Sequence, residues 1–442
     1  MHQHHRNKLF DLYKDRGNTL IYISGAAVTH RYGTDFEYPF RQESNFWYLS
    51  GVNEPDFALI LNPANREFHL LMPRRDAMYA VWMGFVRPAH WYKDQFKPDH
   101  IHYTDEIEQV LRGLKPDNVH CIHESDAAVV RSKGFQAETG ELADALAFCR
   151  VLKTSDEVEQ LRIASRVASE AHRTVMDTVS PEMFEYEVQA IFEHVCTFNG
   201  LRHQPYSGIF AGGFGASVLH YVENDKMLKD GDLLLVDAGA ESRGYAADIT
   251  RTFPINGKFD KRQSLIYDIT YHMLQQSLEL SKPGVEMEEI QIQAARLMIA
   301  QMVEAGLLYG EVDELMDNDI FALFFPHGIG HFLGLDTHDV GGYPKGVDRI
   351  DRPGLRYLRA RRLLEPGMVV TIEPGIYFIP ALLEPAFNNE KQSRFLNVKE
   401  LKGYLDFGGV RVEDNIVITE KGHENLTDVP KSRFEIEKYM HS

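Results

Sequence analysis

Apolar positions recur along the second half of the chain with two different periods. Leu161, Ala164, Ala168, Ala171 and Val175 follow one another at alternating spacings of three and four, the pattern of an amphipathic helix. Thr154-x-x-Glu157 just before them is a capping box. A second helix is expected from Ser180-Pro181 through about Asn199, stopped by Gly200. A third is expected over 287–305, stopped by Gly306. Short apolar runs that read as strands cluster in 233–253, 369–379 and 410–418. In the first half, helical and strand signals alternate. Residues 20–24 form one strand-like run, and 57–61 and 68–72 form two more, joined across Asn62-Pro63-Ala64-Asn65. Between them, 38–51 is dense in aromatics and reads as core, with Arg41, Gln42 and Glu43 as a polar anchor or an interface. The patterning changes near Arg150-Val-Leu-Lys153. A chain of 442 residues is also too long for one ordinary core. Two domains are therefore expected, 1–150 and 151–442, the second of class α+β with helices and paired strands segregated in sequence.

The run Leu233-Leu-Leu-Val-Asp237-Ala-Gly-Ala-Glu-Ser-Arg-Gly-Tyr-Ala-Ala-Asp248-Ile-Thr-Arg-Thr-Phe253 places two apolar stretches around a polar, glycine-containing centre. This reads as a β-hairpin. A turn centred on Ser242-Arg243 would put Asp237 directly opposite Asp248, with Cβ atoms roughly 4.5–5.5 Å apart. Two bare carboxylates at that spacing repel. A hard divalent cation between them would relieve the repulsion; from the pair alone, two solvated surface aspartates remain the alternative. More polar positions follow. His220 stands before the first aspartate, and His327-Gly-Ile-Gly-His331 sets two imidazoles in a glycine turn that lets backbone approach closely. His338 follows, Glu373 ends an apolar strand, and Arg411 and Glu413 alternate with Val410 and Val412 so as to share one face. Two Asp, two Glu and a His suffice for a carboxylate-bridged dinuclear site. Such a set is rich in oxygen and free of sulfur, which favours Mn²⁺ or a similar ion over structural zinc.

The motifs LLVDAG, GYAADITRTF, PHGIGHFLGLDTHDVGGYP, TIEPGIYFIP and GGVRVEDN, in this order, closely resemble the pita-bread metallopeptidase family, which includes methionine aminopeptidase, aminopeptidase P, prolidase and creatinase. The resemblance extends into the first half through FRQESNFWYLSGVNEP and VWMG, and within the family it is strongest to the prolidase branch, the Xaa-Pro dipeptidases. It implies a pita-bread catalytic domain preceded by a smaller α/β domain of aminopeptidase P type. It also implies two divalent metal ions held by Asp237, Asp248, His331, Glu373 and Glu413, with Asp248 and Glu413 touching both. The nucleophile would be a metal-bridging hydroxide and Glu373 the general base. His220, His327 and His338 would contact the substrate and stabilise the tetrahedral intermediate. Tyr206 and Arg359 match substrate-binding positions, Arg359 binding the substrate carboxylate, and Arg411 is counted with them as the residue that orients the metal site. After His220-Tyr221 the chain runs Val-Glu-Asn, a departure from some eukaryotic prolidases that touches the loop and not the metal set.

Dipeptidase and aminopeptidase P differ in whether a cation awaits the proline carboxylate. The segment 343–362 carries seven basic side chains (Lys345, Arg349, Arg352, Arg356, Arg359, Arg361 and Arg362) against Asp348 and Asp351, and it resembles the prolidase insertion. The dipeptidase reading follows, with aminopeptidase P as the alternative and a metal-free binding protein as a third that the complete ligand set disfavours. Small peptides with proline at the second position are the expected substrates, and family resemblance implies a homodimer.

Composition narrows the partners. Lys plus Arg number 47 against 65 Asp plus Glu, a formal charge of −18, which argues against nucleic acid and anionic membranes. Three scattered cysteines without a CxxC fit a reducing, cytoplasmic setting. No apolar run reaches the roughly 18 residues of a membrane helix. The first residues, with His2, His4 and His5, read as a frayed polar terminus.

Overall fold

The three apolar runs of the first half lie side by side as antiparallel strands, β1 (Thr19–Ser24), β2 (Ala58–Asn62) and β3 (Glu67–Met72), in the computed structural model, which describes residues 1–441. Leu59, Ile60 and Leu61 are consecutive and all fully buried, so the sheet is covered on both faces. Each such side chain contributes about 1.5–3 kcal/mol on burial. Strands β4 (His100–Tyr103), β5 (Asn118–Cys121) and β6 (Ala137–Thr139) join in parallel, giving the order β4-β3-β2-β1-β5-β6. These elements belong to the first of two compact units, Met1–Arg150; the second begins at Val151.

Two readings of the first unit meet the structure differently. The aromatic stretch is core over the helix Ser44–Ser50, which buries Phe46, Trp47 and Tyr48, whereas Tyr38 at its start is exposed. Buried Gln42 is the polar anchor, its amide bonding Val52 and Glu54 carbonyls while its oxygen accepts from the Ala26 and Glu43 amides. The terminus, by contrast, is not frayed. Residues His2–Tyr13 form a helix, and His2 and His5 both bond the Tyr48 carbonyl through Nδ1, with the His5 ring stacked on Tyr48 at 3.8 Å. Apolar Leu9, Phe10 and Tyr13 on the same helix are buried and hold it down.

In the second unit the capping box forms as expected, Thr154 and Glu157 each bonding the other's backbone N–H, and the helix Ser155–Thr178 buries Leu161, Ala164, Ala168, Ala171 and Val175. The next helix is Glu185–Phe198; Ser180-Pro181 lies outside it, and Phe184, whose N–H is taken by the Glu187 carboxylate, marks its start. The helix Met287–Glu304 ends before Gly306, which takes a left-handed φ of 72°. A long helix, Lys261–Leu280, was absent from the sequence reading although Asp260 and Gln263 form a capping box at its start.

The strands of this unit are β7 (Ile209–Gly212), β8 (Leu233–Ala238), β9 (Glu241–Ser242), β10 (Tyr245–Ala246) and β11 (Ile249–Pro254), then β12 (Val369–Ile372), β13 (Gly375–Tyr377), β14 (Gly409–Arg411), β15 (Asp414–Ile418) and β16 (His423–Asn425). The hairpin register corrects the expected one. Arg243 and Gly244 both take positive φ, 49° and 87°, so the two-residue turn is centred one position later than Ser242-Arg243, with glycine where left-handed backbone costs least. Asp237 then faces Thr250 rather than Asp248. Moving the turn centre by one position moves each partner by two, so parity is kept and both aspartates stay on one face, now diagonal. The other two strand regions are each broken once. Glu373-Pro374 separates β12 from β13, and Val412-Glu413 separates β14 from β15. The bridge Thr250–Glu413 ties the second break to the hairpin. Among the described residues no helix is long and apolar enough to cross a membrane, and the three cysteines are free and buried.

Candidate active site

Both breaks place a carboxylate where the ladder opens, on the side that carries the hairpin aspartates. Asp248 is 5% exposed and Glu413 2%. The Thr250 hydroxyl donates to Glu413 Oε2 at 2.6 Å, and Tyr206 donates its single proton between Asp248 Oδ1 at 2.6 Å and Asp237 Oδ1 at 2.9 Å. Buried Arg411 gathers three groups: its Nη2 meets Asp237 Oδ2 at 2.6 Å, its Nη1 the Tyr377 hydroxyl at 2.7 Å, and its Nε the Thr250 hydroxyl at 3.2 Å.

His331 enters from the glycine turn. A Cβ on Gly330 would lie 2.0 Å from the Thr371 carbonyl, so only glycine lets the turn lie against β12. The His331 Nδ1–H donates to the Phe332 carbonyl at 2.9 Å, which turns Nε2 toward Asp248 Oδ2 at 3.3 Å and Glu373 Oε1 at 3.6 Å; against burial, these two carboxylates raise the imidazole's pKa and favour a proton on Nε2 that a cation would displace. Donor atoms of Asp248, His331 and Glu413 all lie within 4.8 Å of one another. His327 is fixed likewise: Nδ1 donates to the Gly328 carbonyl at 2.8 Å and lies 3.6 Å from Glu373 Oε2, and Nε2 accepts from the Tyr377 hydroxyl at 2.9 Å.

The electrostatics record a shortage of positive charge. Burial, opposed by His331 and reinforced by Asp248, pushes Glu373 up to about 7. Burial pushes Asp237 up to about 6 against the pull of Arg411, and burial with the neighbouring carboxylates holds Glu413 well above its ordinary value. Asp248 alone is lowered, because its bonds to His331 and Tyr206 outweigh burial. Four carboxylates meet one guanidinium, that of Arg411, with Tyr206, Thr250 and His331 as their other partners, and a hard divalent cation is what such a donor set lacks. The residues fit a metal.

Comparison with known proteins agrees. Residues 159–420 match the profile of metallopeptidase family M24, and residues 2–122 that of the aminopeptidase P N-terminal domain. The chain belongs to metallopeptidase family M24. A Xaa-Pro dipeptidase of Mus musculus is 41% identical over 434 residues, covering 95% of this chain and 88% of that protein. A probable Xaa-Pro aminopeptidase of Colletotrichum graminicola is 39% identical over 425 residues, covering 95% and 92%. Among solved structures, the zinc-substituted aminopeptidase P of E. coli in complex with product superposes with a TM-score of 0.86 at 33% identity, covering 100% of this chain and 98% of that one. The fold is accordingly that of aminopeptidase P, a smaller α/β domain followed by the M24 pita-bread domain.

Around the M24 carboxylates the remaining expected residues form an outer ring. The His338 ring stands edge-on to His331 with centroids 4.5 Å apart, and burial together with His331 pushes it down to about 4. His327 is pushed down to about 3 by burial and Arg411. His220 is exposed and lowered by partial burial and by the charges of Arg359 and Arg411. Arg359 is also exposed, and its charge is felt by His220, His327 and His338. The other arginines of this segment are engaged: Arg349 with backbone carbonyls, Arg352 with Asp319, Arg356 with Asp351, Arg361 with Glu288 and Arg362 with Gly341. Among the described residues Arg359 has no such bond. Two supporting features went unread in the sequence. Tyr377 sits inside the quoted TIEPGIYFIP motif but only the fold joins it to Arg411 and His327. Lys153 Nζ meets Asp339 Oδ2 at 2.8 Å, both side chains 1% exposed, and so anchors the loop that carries His338.

Proposed function

We propose that this M24 chain hydrolyses the Xaa-Pro bond of dipeptides, with residues 1–150 as the aminopeptidase P-type domain and 151–442 as the catalytic domain. Asp237, Asp248, His331, Glu373 and Glu413 would hold two divalent ions, the oxygen-rich set favouring Mn²⁺; a zinc-substituted relative has also been solved. Such ions polarise a carbonyl and lower the pKa of water. The protein supplies the rest. Glu373 takes a proton as general base and passes it to the leaving proline nitrogen. Neutral His338, with His220, offers an N–H to the charge that develops on the carbonyl oxygen, while His327, its one N–H held by the Gly328 carbonyl, lines the site beside them. Arg411 and Tyr206 fix the orientation of Asp237 and Asp248.

The observation that carries the dipeptidase reading is Arg359, a cation beside the three histidines with no bond of its own. A free proline carboxylate is its natural complement, and a bidentate charge-assisted pair contributes roughly 1.5–3 kcal/mol. Arg359→Ala should therefore lower kcat/KM for Xaa-Pro by roughly 10- to 150-fold. Xaa-Pro amides should lose almost nothing, at equal metal loading. Equal losses on both would favour aminopeptidase P, the activity named for relatives of similar identity. A homodimer is supported by the helix Ala77–Met83, which has no buried residue and exposes Met78, Val81, Trp82 and Met83. Three buried free cysteines support a cytoplasmic setting.

A further inference from the structure

A second group of metal-ligand side chains lies far from the carboxylate cluster in sequence, on the outer edge of the sheet of the first unit. Strand β4 is the edge strand and runs parallel to β3, with His69 opposite His100 and Leu71 opposite His102. Side chains two apart on a strand share a face. Glu67, His69, His100 and His102 therefore project together.

Packing then gives them different roles. His69 is 4% exposed, whereas the His100 and Glu67 side chains are 50% and 30% exposed. His69 Nδ1 lies 3.2 Å from His102 Nε2, and a proton on Nδ1 donated to His102 leaves His69 Nε2 as a lone pair. That Nε2 is fully buried and has no hydrogen-bond partner. It points at Glu67 Oε2, 3.6 Å away, and His100 Nε2 stands 3.9 Å from Glu67 Oε1. An imidazole lone pair turned toward carboxylate oxygen is unfavourable by itself and leaves the buried nitrogen unsatisfied. A cation between them satisfies both.

The geometry points to a metal site: we propose that Glu67, His69 and His100 bind one borderline divalent cation, with His102 orienting His69 from behind and solvent completing the coordination. The three donor atoms lie within 4.8 Å of one another. Ligands at about 2.0–2.1 Å on a tetrahedron are roughly 3.4 Å apart, so the 3.6 and 3.9 Å separations of the two imidazoles from the Glu67 carboxylate need close by only a few tenths of an ångström. Two imidazoles, one carboxylate and no sulfur select Zn²⁺, Ni²⁺ or Cu²⁺ over Mg²⁺ or Ca²⁺. An imidazole that ligates through one nitrogen while donating the other N–H to a neighbour is the usual arrangement at such sites. The ion would clip the edge strand β4 to β3.

Zn²⁺ is the probe. The full-length protein, its catalytic centre already loaded with Mn²⁺, is dialysed against low-micromolar Zn²⁺ and its total metal counted by mass spectrometry. The variant Glu67→Gln/His100→Ala should hold one equivalent less than the wild type while keeping peptidase turnover, since both side chains reach water and lie in the first unit, outside the carboxylate cluster. His102→Ala should keep the stoichiometry but weaken this Zn²⁺ affinity about 10- to 100-fold. The single variant His100→Gln, fully at the surface edge, gives the same count should the double variant fail to fold. Equal metal content in wild type and these variants overturns the proposal, as does a His102→Ala protein with unchanged affinity.

Discussion

Glu373→Gln should stabilise the metal-free protein, and by an amount that grows with pH. In the folded chain burial lifts this carboxyl from 4.5 to about 7. At about 1.36 kcal/mol per unit the shift corresponds to about 3 kcal/mol. The side chain keeps 17% of its surface exposed and shares its protons with three neighbouring carboxylates, so about 1.5–3 kcal/mol is the working range. The sign follows from linkage. A carboxyl whose folded pKa is raised leaves stability intact below its unfolded pKa, near 4.5, and subtracts from it progressively until pH passes the folded value near 7. Gln mimics the protonated acid and does not titrate. The variant's advantage over wild type should thus be small at pH 5 and reach its full size by pH 8. Comparing the two proteins at each pH cancels the other titrating groups, including the histidines that are held neutral and pull the opposite way. Calorimetry on chelator-treated protein reads the effect as about 3–6 °C in the melting of the second unit, at roughly 2 °C per kcal/mol for a domain of this size. Metal should reverse the order, because Gln cannot replace an anionic ligand. A difference that stays flat from pH 5 to 8 would refute the claim that Glu373 stands in a buried, charge-crowded site.

Asp248→Asn should give a folded protein with less metal and negligible peptidase activity, measured by elemental analysis beside turnover; two metals and normal rates would remove Asp248 from the ligand set. Lys153→Met should destabilise the second unit by about 3–5 kcal/mol, since Asp339 keeps a buried charge without its ammonium. Adding Asp339→Leu should restore most of that loss, and calorimetry that shows no recovery would mean the pair is not the unit of stability there.

Much of this was legible before any coordinates. The capping box at Thr154, the spacing of Leu161 to Val175 and the alternation of Arg411 with Val410 and Val412 are local patterns, and local patterns survive folding. The carboxylates and His331 were legible because they sit in motifs. The hairpin register was missed by one turn position because Ser242-Arg243 and Arg243-Gly244 both read as plausible turns, and only the preference of Gly244 for left-handed backbone decides between them. The helical N-terminus was missed for a different reason. Its hydrophilic first residues owe their order to the Tyr48 carbonyl, more than forty positions away, and no local pattern reports such a bond. Tyr377, Lys153 and the freedom of Arg359 belong to the same class, since each depends on which distant group folding brings near.

The two broken strands have a consequence for biosynthesis. Asp237 leaves the ribosome about 175 residues before Glu413, a gap of roughly 10–35 s at ordinary elongation rates of about 5–20 residues per second. For most of that interval the nascent chain holds a hairpin with two aspartates and neither glutamate, and to its end the set still lacks Glu413. β12 cannot pair until β15 has been made, and the Thr250–Glu413 bridge waits for the same segment. The metal therefore arrives after translation has all but ended, at a pocket closed by the last strands. A ribosome that stalls before Glu413 leaves an acidic, unligated half-site rather than a weakly active enzyme.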